Sequence, residues 1–180
     1  MREAKKLKMS GMPQDVQVID FFSGCGGMSY GFQTAATDYI NYHVLGGLDV
    51  DRHANATYEL MLKRPAIERD IRELANRAAL DEALQEWGYD PNKPLVLIGC
   101  APCQGFSSHR KKDRREDERN ELLSAFGSIV TELSPDLVVM ENVPEMLHKK
   151  YWKHYQAFSS QVESFGYITR ARIHNLASFG

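Results

Sequence analysis

The sequence has no long apolar run, no surplus of positive charge and few cysteines, and each shortage argues against a class of protein. No stretch approaches the roughly 20 consecutive apolar residues that span a bilayer. The net charge of −2 argues against a globally basic nucleic-acid binder, so any phosphate contact has to come from a local patch. Three cysteines, behind a basic N-terminus without an export signal, predict reduced thiols in the cytoplasm.

Internal repeats, low-complexity tracts and clear linkers are also lacking, so the 180 residues are expected to form one domain. Its hydrophobic content of 43% and charged content of 26% are typical of an ordinary globular protein. Residues 1–13 are expected to be a flexible leader, and residues 14–180 the folded part.

Short apolar runs alternate with helical patterns along the folded part. Strands are predicted at 16–22, 42–49, 95–99, 137–140 and 167–176; helices at 54–62, 71–87, 120–133 and 152–165, with another after the glycines at 24–27; and a long loop at 100–118. This alternation predicts an α/β fold, a mostly parallel sheet with helices on both faces. Ligands bind such sheets beyond the carboxyl ends of the strands.

Three predicted strand ends carry unusual residues: SGCGG at 23–27, CAPCQ at 100–104 and ENV at 141–143. If the helix at 120–133 joins neighbouring strands, Cys103 and Glu141 emerge side by side. A glutamate directly after the apolar run LVVM is expensive to bury without a function, so Glu141 is expected to be partly buried and functional, with a helix cap or ion pair as the alternative.

The glycine-rich turn lets the backbone approach a ligand closely at the start of a helix. Asp49 and Asp51 lie about 20 positions further on, where a carboxylate can bind ribose hydroxyls. The segment lacks the third glycine of the GxGxxG fingerprint. A nucleoside-cofactor site is the favoured interpretation, and a purely structural turn is the alternative.

Cys100 and Cys103 could form a redox pair, half of a metal site, or a frame around one reactive thiol. A redox pair of this spacing opens a helix, and a metal site needs three or four ligands, whereas the one other cysteine is Cys25. We therefore favour Cys103 as a nucleophile, with Cys100 and Cys25 packed as small apolar residues. A thiol, a carboxylate and a nucleoside site together indicate group transfer through a covalent intermediate.

Five motifs, in this order, resemble those of the cytosine-5 DNA methyltransferases. They are DFFSGCGG at 20–27, Asp70-Ile71, Pro102-Cys103-Gln104, DERNEL at 117–122 and Glu141-Asn142-Val143. The resemblance covers about residues 16–180 and implies a Rossmann-like methyltransferase fold with S-adenosylmethionine as cofactor.

The resemblance also implies a cofactor pocket. Asp49 would hold the ribose, Val50 would flank the adenine, and Asp70 would bond its amino group. The implied cofactor contacts are Phe22, Ser23, Gly24, Cys25, Gly26, Gly27, Asp49, Val50, Asp70, Ile71, Pro102 and Leu122. The family usually has glutamate and a bulky residue in place of Asp49-Val50, which implies weaker cofactor binding here.

In the implied reaction, Cys103 attacks C6 of a cytosine flipped out of double-stranded DNA, Glu141 bonds the ring, and C5 takes the methyl group. The loop at 107–119, which includes the basic run HRKKDRR, would close over the DNA, with Ser107 and Arg119 in contact with it. An RNA methyltransferase of the same family and a non-catalytic cofactor-binding or interaction module are the alternatives.

The Gln-x-Arg-x-Arg motif that comes next in the family, the target-recognition region and the closing segment are not found in the 180 residues. The resemblance therefore implies the N-terminal part of a catalytic domain, in a split or truncated enzyme of the restriction-modification kind. Such a chain is expected to be feeble alone, with a second polypeptide supplying the rest.

Overall fold

The computed structural model describes residues 13–35, 37–101, 112–147, 149 and 152–179, and of residues 112–120 only the helical backbone. The strands are β1 (Gln14–Phe21), β2 (Ile40–Asp49), β3 (Ala66–Glu68), β4 (Leu95–Gly99) and β5 (Leu137–Met140). The helices are α1 (Gly27–Thr34), α2 (Arg52–Leu62), α3 (Arg77–Glu86), α4 (Lys112–Leu133) and α5 (Trp152–Glu163), with 3₁₀ turns at Ile71–Ala75, Pro144–Leu147 and Leu176–Ser178. Residues 1–12 of the expected leader lie outside the described residues.

The five strands form one parallel sheet in the order β3-β2-β1-β4-β5. Alternate residues of the central strand β1 pack into two separate apolar clusters, one on each face of the sheet. Ile19 and Phe21 face the cluster that contains residues of α3, α4 and α5, whereas Val18 faces the cluster that contains Tyr58 and Leu62 of α2. Because both faces are covered, β1 is buried continuously from Val16 to Phe21. The predicted α/β fold with helices on both faces is confirmed.

Two helical predictions need correction. The segment predicted as one helix at 71–87 breaks at Asn76, which ends the 3₁₀ turn and caps α3 by accepting the amide of Ala78 at 2.9 Å. Helix α4 begins at Lys112, inside the segment predicted as a loop, because charged residues at 112–118 give no apolar periodicity to detect. Its predicted apolar stripe is confirmed, with Phe126 and Val130 fully buried.

The strand predictions fail at both edges of the sheet. The three-residue strand β3 is missing from the predictions because so short a run carries little pattern. Strand β5 was expected to be buried, but it is the last strand of the sheet in the described part of the chain, and Leu137 is 49% exposed. The strand predicted at 167–176 is wrong: the segment is irregular, and Ile168 and Ile173 are exposed. No helix among the described residues is long and apolar enough to cross a bilayer.

Gly46 of β2 packs directly against Trp87, the residue that caps the end of α3. A Cβ atom at this position would lie 2.2 Å from Cδ1 of Trp87 and 2.7 Å from the carbonyl oxygen of Pro65. Neither neighbour has room to move, since Trp87 is buried and the second contact is backbone. The indole ring therefore fills the space that a side chain at position 46 would need.

We predict that Gly46→Ala lowers the free energy of unfolding by about 1–3 kcal/mol, because the added methyl group overpacks this contact. Gly31 of α1 is the matched control: it is exposed, and a Cβ there meets nothing within 4 Å. Gly31→Ala should stabilise the chain by roughly 0.5–1 kcal/mol, because alanine is the better helix former. Urea unfolding of both variants checks the pair, and similar effects at the two positions would contradict the assignment.

Candidate cofactor and catalytic site

The turn after β1 is built from three residues in the left-handed region of backbone space. Gly24 and Gly26 have φ angles of 50° and 87°, which cost glycine little, whereas Phe22 has a φ angle of 58°, which is strained for a residue with a Cβ. The ring of Phe22 packs edge-on against Phe126, at 6.3 Å between centroids. Core packing thus holds the residue that starts the turn.

The two sides of the turn differ in how much space they leave. A Cβ atom at Gly26 would lie 2.6 Å from Cδ1 of Leu62 and 2.8 Å from Cδ2 of Tyr58, so the turn packs directly on α2. Cβ atoms at Gly24 and Gly27 would meet nothing within 4 Å. The open side leaves room for a ligand against the backbone.

Asp49, at the end of β2, lies beside this turn. Its Oδ2 accepts the amide of Gly24 and its Oδ1 accepts the amide of Asp51, both at 2.9 Å. Asn55 holds the strand end by donating from Nδ2 to the carbonyl of Asp49 at 2.9 Å. Asp51 caps α2, accepting the first amides of that helix. Of the two acidic residues that the spacing indicated, Asp49 is therefore the one that contacts the turn.

Asp70 follows β3 at the same edge of the sheet. Arg72 grips its carboxylate, with Nη2 at 2.6 Å from Oδ2 and Nε at 3.0 Å from Oδ1, and holds the pKa of Asp70 below its usual range. Arg72 also donates to Glu121 of α4 at 2.9 Å. Ile71 is buried in the core. Asp70 is thus an ionised acceptor linked to α4.

The remaining predicted cofactor contacts on described residues vary in exposure. Ser23 is buried, its amide donates to the carbonyl of Leu48 at 3.1 Å, and its Oγ has no partner among the described atoms. Val50 is 65% exposed. Leu122 is half-buried against the core. Cys25 is exposed on the turn, so the expectation that it packs as an apolar residue is wrong.

The ends of β4 and β5 are neighbours, as the crossover argument predicted. Gly99 lies opposite Met140, and the amide of Glu141 donates to the carbonyl of Gly99 at 3.0 Å. The amide of Cys100 donates to the carbonyl of Phe21 at 3.3 Å, which ties the same point to the glycine turn. Three strand ends therefore meet at one edge.

Asn142, for which the sequence gave no individual role, fixes the start of the predicted catalytic loop. Its Nδ2 donates to the carbonyl of Ala101 at 3.1 Å. The side chain of Arg119 and the predicted site residues Pro102, Cys103 and Ser107 lie outside the described residues.

Glu141 is exposed, so the expectation of partial burial is wrong. The physical reason is its place: it follows an edge strand, and in the described part of the chain β5 pairs on one side only. A carboxylate in this position is open to a molecule that approaches the edge of the sheet.

Three buried polar side chains beneath the turn belong to the site, although sequence reasoning assigned them no role. Ser29 Oγ donates to Asp20 Oδ2 at 2.7 Å and lies 3.0 Å from the hydroxyl of Tyr58. Burial raises the pKa of Asp20 to about 7, against the hydrogen bonds from Ser29 that lower it. Asp20 stands in a quoted motif, but no local signal marks Ser29 or Tyr58.

Comparison with known proteins adds a family to this geometry. The family model for C-5 cytosine-specific DNA methylase matches residues 16–180. Type II methylase M.HgiDII of Herpetosiphon aurantiacus is 34% identical over 158 residues, which are 87% of this chain and 41% of that protein. Type II methyltransferase M1.HphI of Haemophilus parahaemolyticus is 32% identical over 165 residues, 90% of this chain and 41% of that protein.

Solved structures agree with the fold. A presumed DNA modification methyltransferase from an E. coli prophage superposes with a TM-score of 0.64 at 29% identity, over 83% of this chain and 38% of that one. The Dnmt2 methyltransferase of S. pombe, at 19% identity and a TM-score of 0.54, covers 82% of this chain and 40% of its own, and shows the same fold. The chain spans about two fifths of these relatives, and it belongs to the C-5 cytosine-specific DNA methylase family.

Proposed function

We propose that the chain carries the cofactor-binding and catalytic part of a DNA cytosine-5 methyltransferase that works through a covalent adduct on Cys103. One observation carries this proposal: the glycine turn, Asp49 and Glu141 converge on the carboxyl edge of a single parallel sheet. Ligand sites of open α/β sheets lie at this edge.

The residues at the ends of β1, β2 and β3 fit S-adenosylmethionine. The open side of the turn at Gly24 and Gly27 has space for it, and the carboxylates of Asp49 and Asp70 are acceptors suited to ribose hydroxyls and an adenine amino group. Each oxygen of Asp49 already accepts one amide and keeps a second lone pair for a ligand. When bound, the cofactor would supply an electrophilic methyl group.

Ala101, two residues before Cys103 in the sequence, is linked to the end of β5. Its carbonyl accepts a hydrogen bond from Asn142, the residue after Glu141. We propose that the thiol of Cys103 and the carboxylate of Glu141 flank one pyrimidine ring.

The chemistry needs both groups. The thiolate of Cys103 bonds to C6 of cytosine, and the electron pair of the C5–C6 double bond moves to C5. C5 is then nucleophilic enough to take the methyl group that S-adenosylmethionine would supply, with S-adenosylhomocysteine as the leaving group. A base then removes the C5 proton, the pair re-forms the double bond, and the C6–S bond breaks to release the thiolate. Glu141, bonded to N3 and the exocyclic amine, stabilises the charge that develops on the ring. Its exposure suits contact with a base flipped out of a duplex.

We propose double-stranded DNA as substrate, with Ser107 and Arg119 as contacts, and a second polypeptide that supplies the region occupying the other three fifths of the relatives. The coverage of 41% in M.HgiDII and M1.HphI supports the need for such a region. The half-exposed outer edge of β5 offers it a place to dock. The assembly would act on DNA in the cytoplasm.

We expect the chain, mixed with S-adenosylmethionine, 5-fluorocytosine DNA and a polypeptide carrying the remainder of M.HgiDII, to form a covalent adduct at Cys103. Fluorine at C5 cannot leave as a cation, so the adduct persists after methyl transfer. Peptide mapping by mass spectrometry locates it. Cys103→Ser should abolish the adduct, whereas Cys100→Ala should retain it.

Three other outcomes would redirect the proposal. Equal loss in the two cysteine variants would favour the redox or metal interpretation of the pair. An adduct with 5-fluorocytidine tRNA and none with DNA would favour the RNA alternative. No adduct with either nucleic acid, despite cofactor binding, would favour the non-catalytic module.

We predict that Glu141→Gln slows adduct formation by about two to three orders of magnitude, because it removes one charge-stabilising group from the transition state. Glu145 is the matched control, since it is an exposed glutamate in the 3₁₀ turn that follows, four residues along the chain. Glu145→Gln should leave the rate within about twofold of the parent. Single-turnover trapping on a gel measures both, and equal rates for the two variants would remove Glu141 from the mechanism.

We predict that Gly27→Ala weakens binding of S-adenosylhomocysteine at least about tenfold without lowering the free energy of unfolding. Its methyl group would enter the open side of the turn, where it meets no protein atom but would meet the ligand. Isothermal titration calorimetry and urea unfolding measure the two quantities, with Gly31→Ala as the control. Unchanged affinity in Gly27→Ala would place the ligand elsewhere.

A further inference from the structure

Helix α1 begins without a cap of its own. Its N-cap residue is Gly26, which has no side chain to offer, and its first turn contains no acidic residue. The first amides of a helix need acceptors, and a negative charge near them is stabilising. Asp20 at the end of β1 supplies the charge from outside the helix, accepting hydrogen bonds from the hydroxyl and backbone of Ser29.

The hydrogen bond between Asp20 and Ser29 links the two ends of the glycine turn, because Asp20 precedes the turn and Ser29 follows it. Residues 22–26 form the turn, Asp20 precedes it in β1, and Ser29 follows it in α1. Asp20 is 1% exposed and Ser29 is fully buried, so water does not compete for the contact. This 2.7 Å hydrogen bond therefore joins the residues on the two sides of the turn.

Ionisation of Asp20 fixes the direction of the hydrogen-bond chain beneath the turn. A hydroxyl has one proton, and that of Ser29 goes to Asp20 Oδ2. Tyr58 must then donate in its 3.0 Å contact with Ser29. A charge-assisted chain of this kind is shorter and stronger than a neutral one. Protonation of Asp20 removes the negative charge that fixes the direction of this hydrogen-bond chain.

The surroundings of Asp20 are poor in other charges. In the sheet it lies opposite Gly47 of β2 and Ile98 of β4, and its Oδ1 is buried without a hydrogen-bond partner in the described structure. Asp49 at the end of β2 is the charged group that further raises its pKa, which lies at about 7. On the α2 side it faces Tyr58, whose own pKa is raised by burial, with Arg64 acting on that hydroxyl from beyond. Both protonation states of Asp20 are therefore populated at neutral pH.

We propose that Asp20 is a positioning residue that clamps the glycine turn through Ser29 and Tyr58, and that its ionisation tightens cofactor binding. The second part rests on the proposed function of the turn. Ionised Asp20 holds the two ends of the turn together; neutral Asp20 holds them more weakly. Affinity for the cofactor thus falls as the pH is lowered through neutrality.

Stability has the opposite pH dependence, which separates positioning from a merely structural role. The pKa of Asp20 is about 7 in the folded chain and 3.8 as its ordinary value, so the folded state binds the extra proton. The contribution of Asp20 to the free energy of unfolding is largest below pH 4 and is lost as the pH rises through about 7. The proposed clamp instead strengthens as the pH rises through about 7, because Asp20 then becomes ionised. Cofactor affinity and the free energy of unfolding should therefore change in opposite directions with pH.

The test uses the 180-residue chain between pH 5.5 and 8.5. We expect the carboxyl carbon of Asp20 to titrate near pH 7 by NMR, and the amide signals of Gly24, Gly26 and Gly27 to follow the same midpoint. The dissociation constant of S-adenosylhomocysteine, from calorimetry, should rise about fivefold from pH 8 to pH 6, at the lower end of usual coupling between sites. In Asp20→Asn the glycine signals and the affinity should lose this pH dependence.

Ser29→Ala keeps the test open should Asp20→Asn fail to fold. It removes the hydroxyl through which the clamp acts and a donor that lowers the pKa of Asp20. The carboxyl carbon of Asp20 should therefore titrate at higher pH in this variant, while the glycine signals respond less to that titration than in the parent chain. Glycine signals that ignore the titration of Asp20 in the parent chain, that respond fully to it in Ser29→Ala, or that keep their pH dependence in Asp20→Asn would overturn the clamp. Glycine signals that follow Asp20 in a chain that binds no S-adenosylhomocysteine at any pH would support the clamp and overturn the cofactor site.

Discussion

The parallel pairing of β1 with β2 on one side and β4 on the other is the constraint on which the site depends. All three strands run the same way, and the register between β1 and β2 shifts by one residue after Val18 and then holds to the strand ends. The glycine turn, Asp49 and Cys100 therefore emerge together. Hydrophobic burial on both faces fixes β1 at the centre, since a shift of one residue would exchange the side chains that face the two clusters. The position of the chemistry is thus a consequence of core packing.

Two carboxylates near the turn have different environments and therefore different roles. Asp49 is half-exposed and accepts two backbone amides, which leaves it available to a ligand. Asp20 is buried beneath the same turn, where the cost of removing a charge from water raises its pKa to about 7. Asp49 accepts hydrogen bonds from the turn where a ligand can reach it, whereas Asp20 is hydrogen-bonded to Ser29 in the core beneath the turn. The difference follows from the partial exposure of Asp49 and the burial of Asp20.

The sequence was sufficient to predict the α/β class, the order of the motifs and the meeting of the strand ends at Gly99 and Met140, because these follow from strand and helix periodicity. It was insufficient where tertiary context decides. Nothing local marks Tyr58 as a partner of Ser29, 29 residues away, or shows that Glu141 stands on an open edge. The start of α4 at Lys112 was not predicted because the charged first turns of this helix have no apolar stripe. The role proposed for Cys103 rests on its motif.

The open side of β5 has a consequence for how the chain can associate with other strands. In the described part of the chain β5 pairs on one side only, with Leu137 exposed and the rest of the strand half-buried. The open side of such a strand can pair with other strands through main-chain groups, whatever their sequence. The described part of the chain therefore has a border at which main-chain pairing is open to another segment or to a second copy.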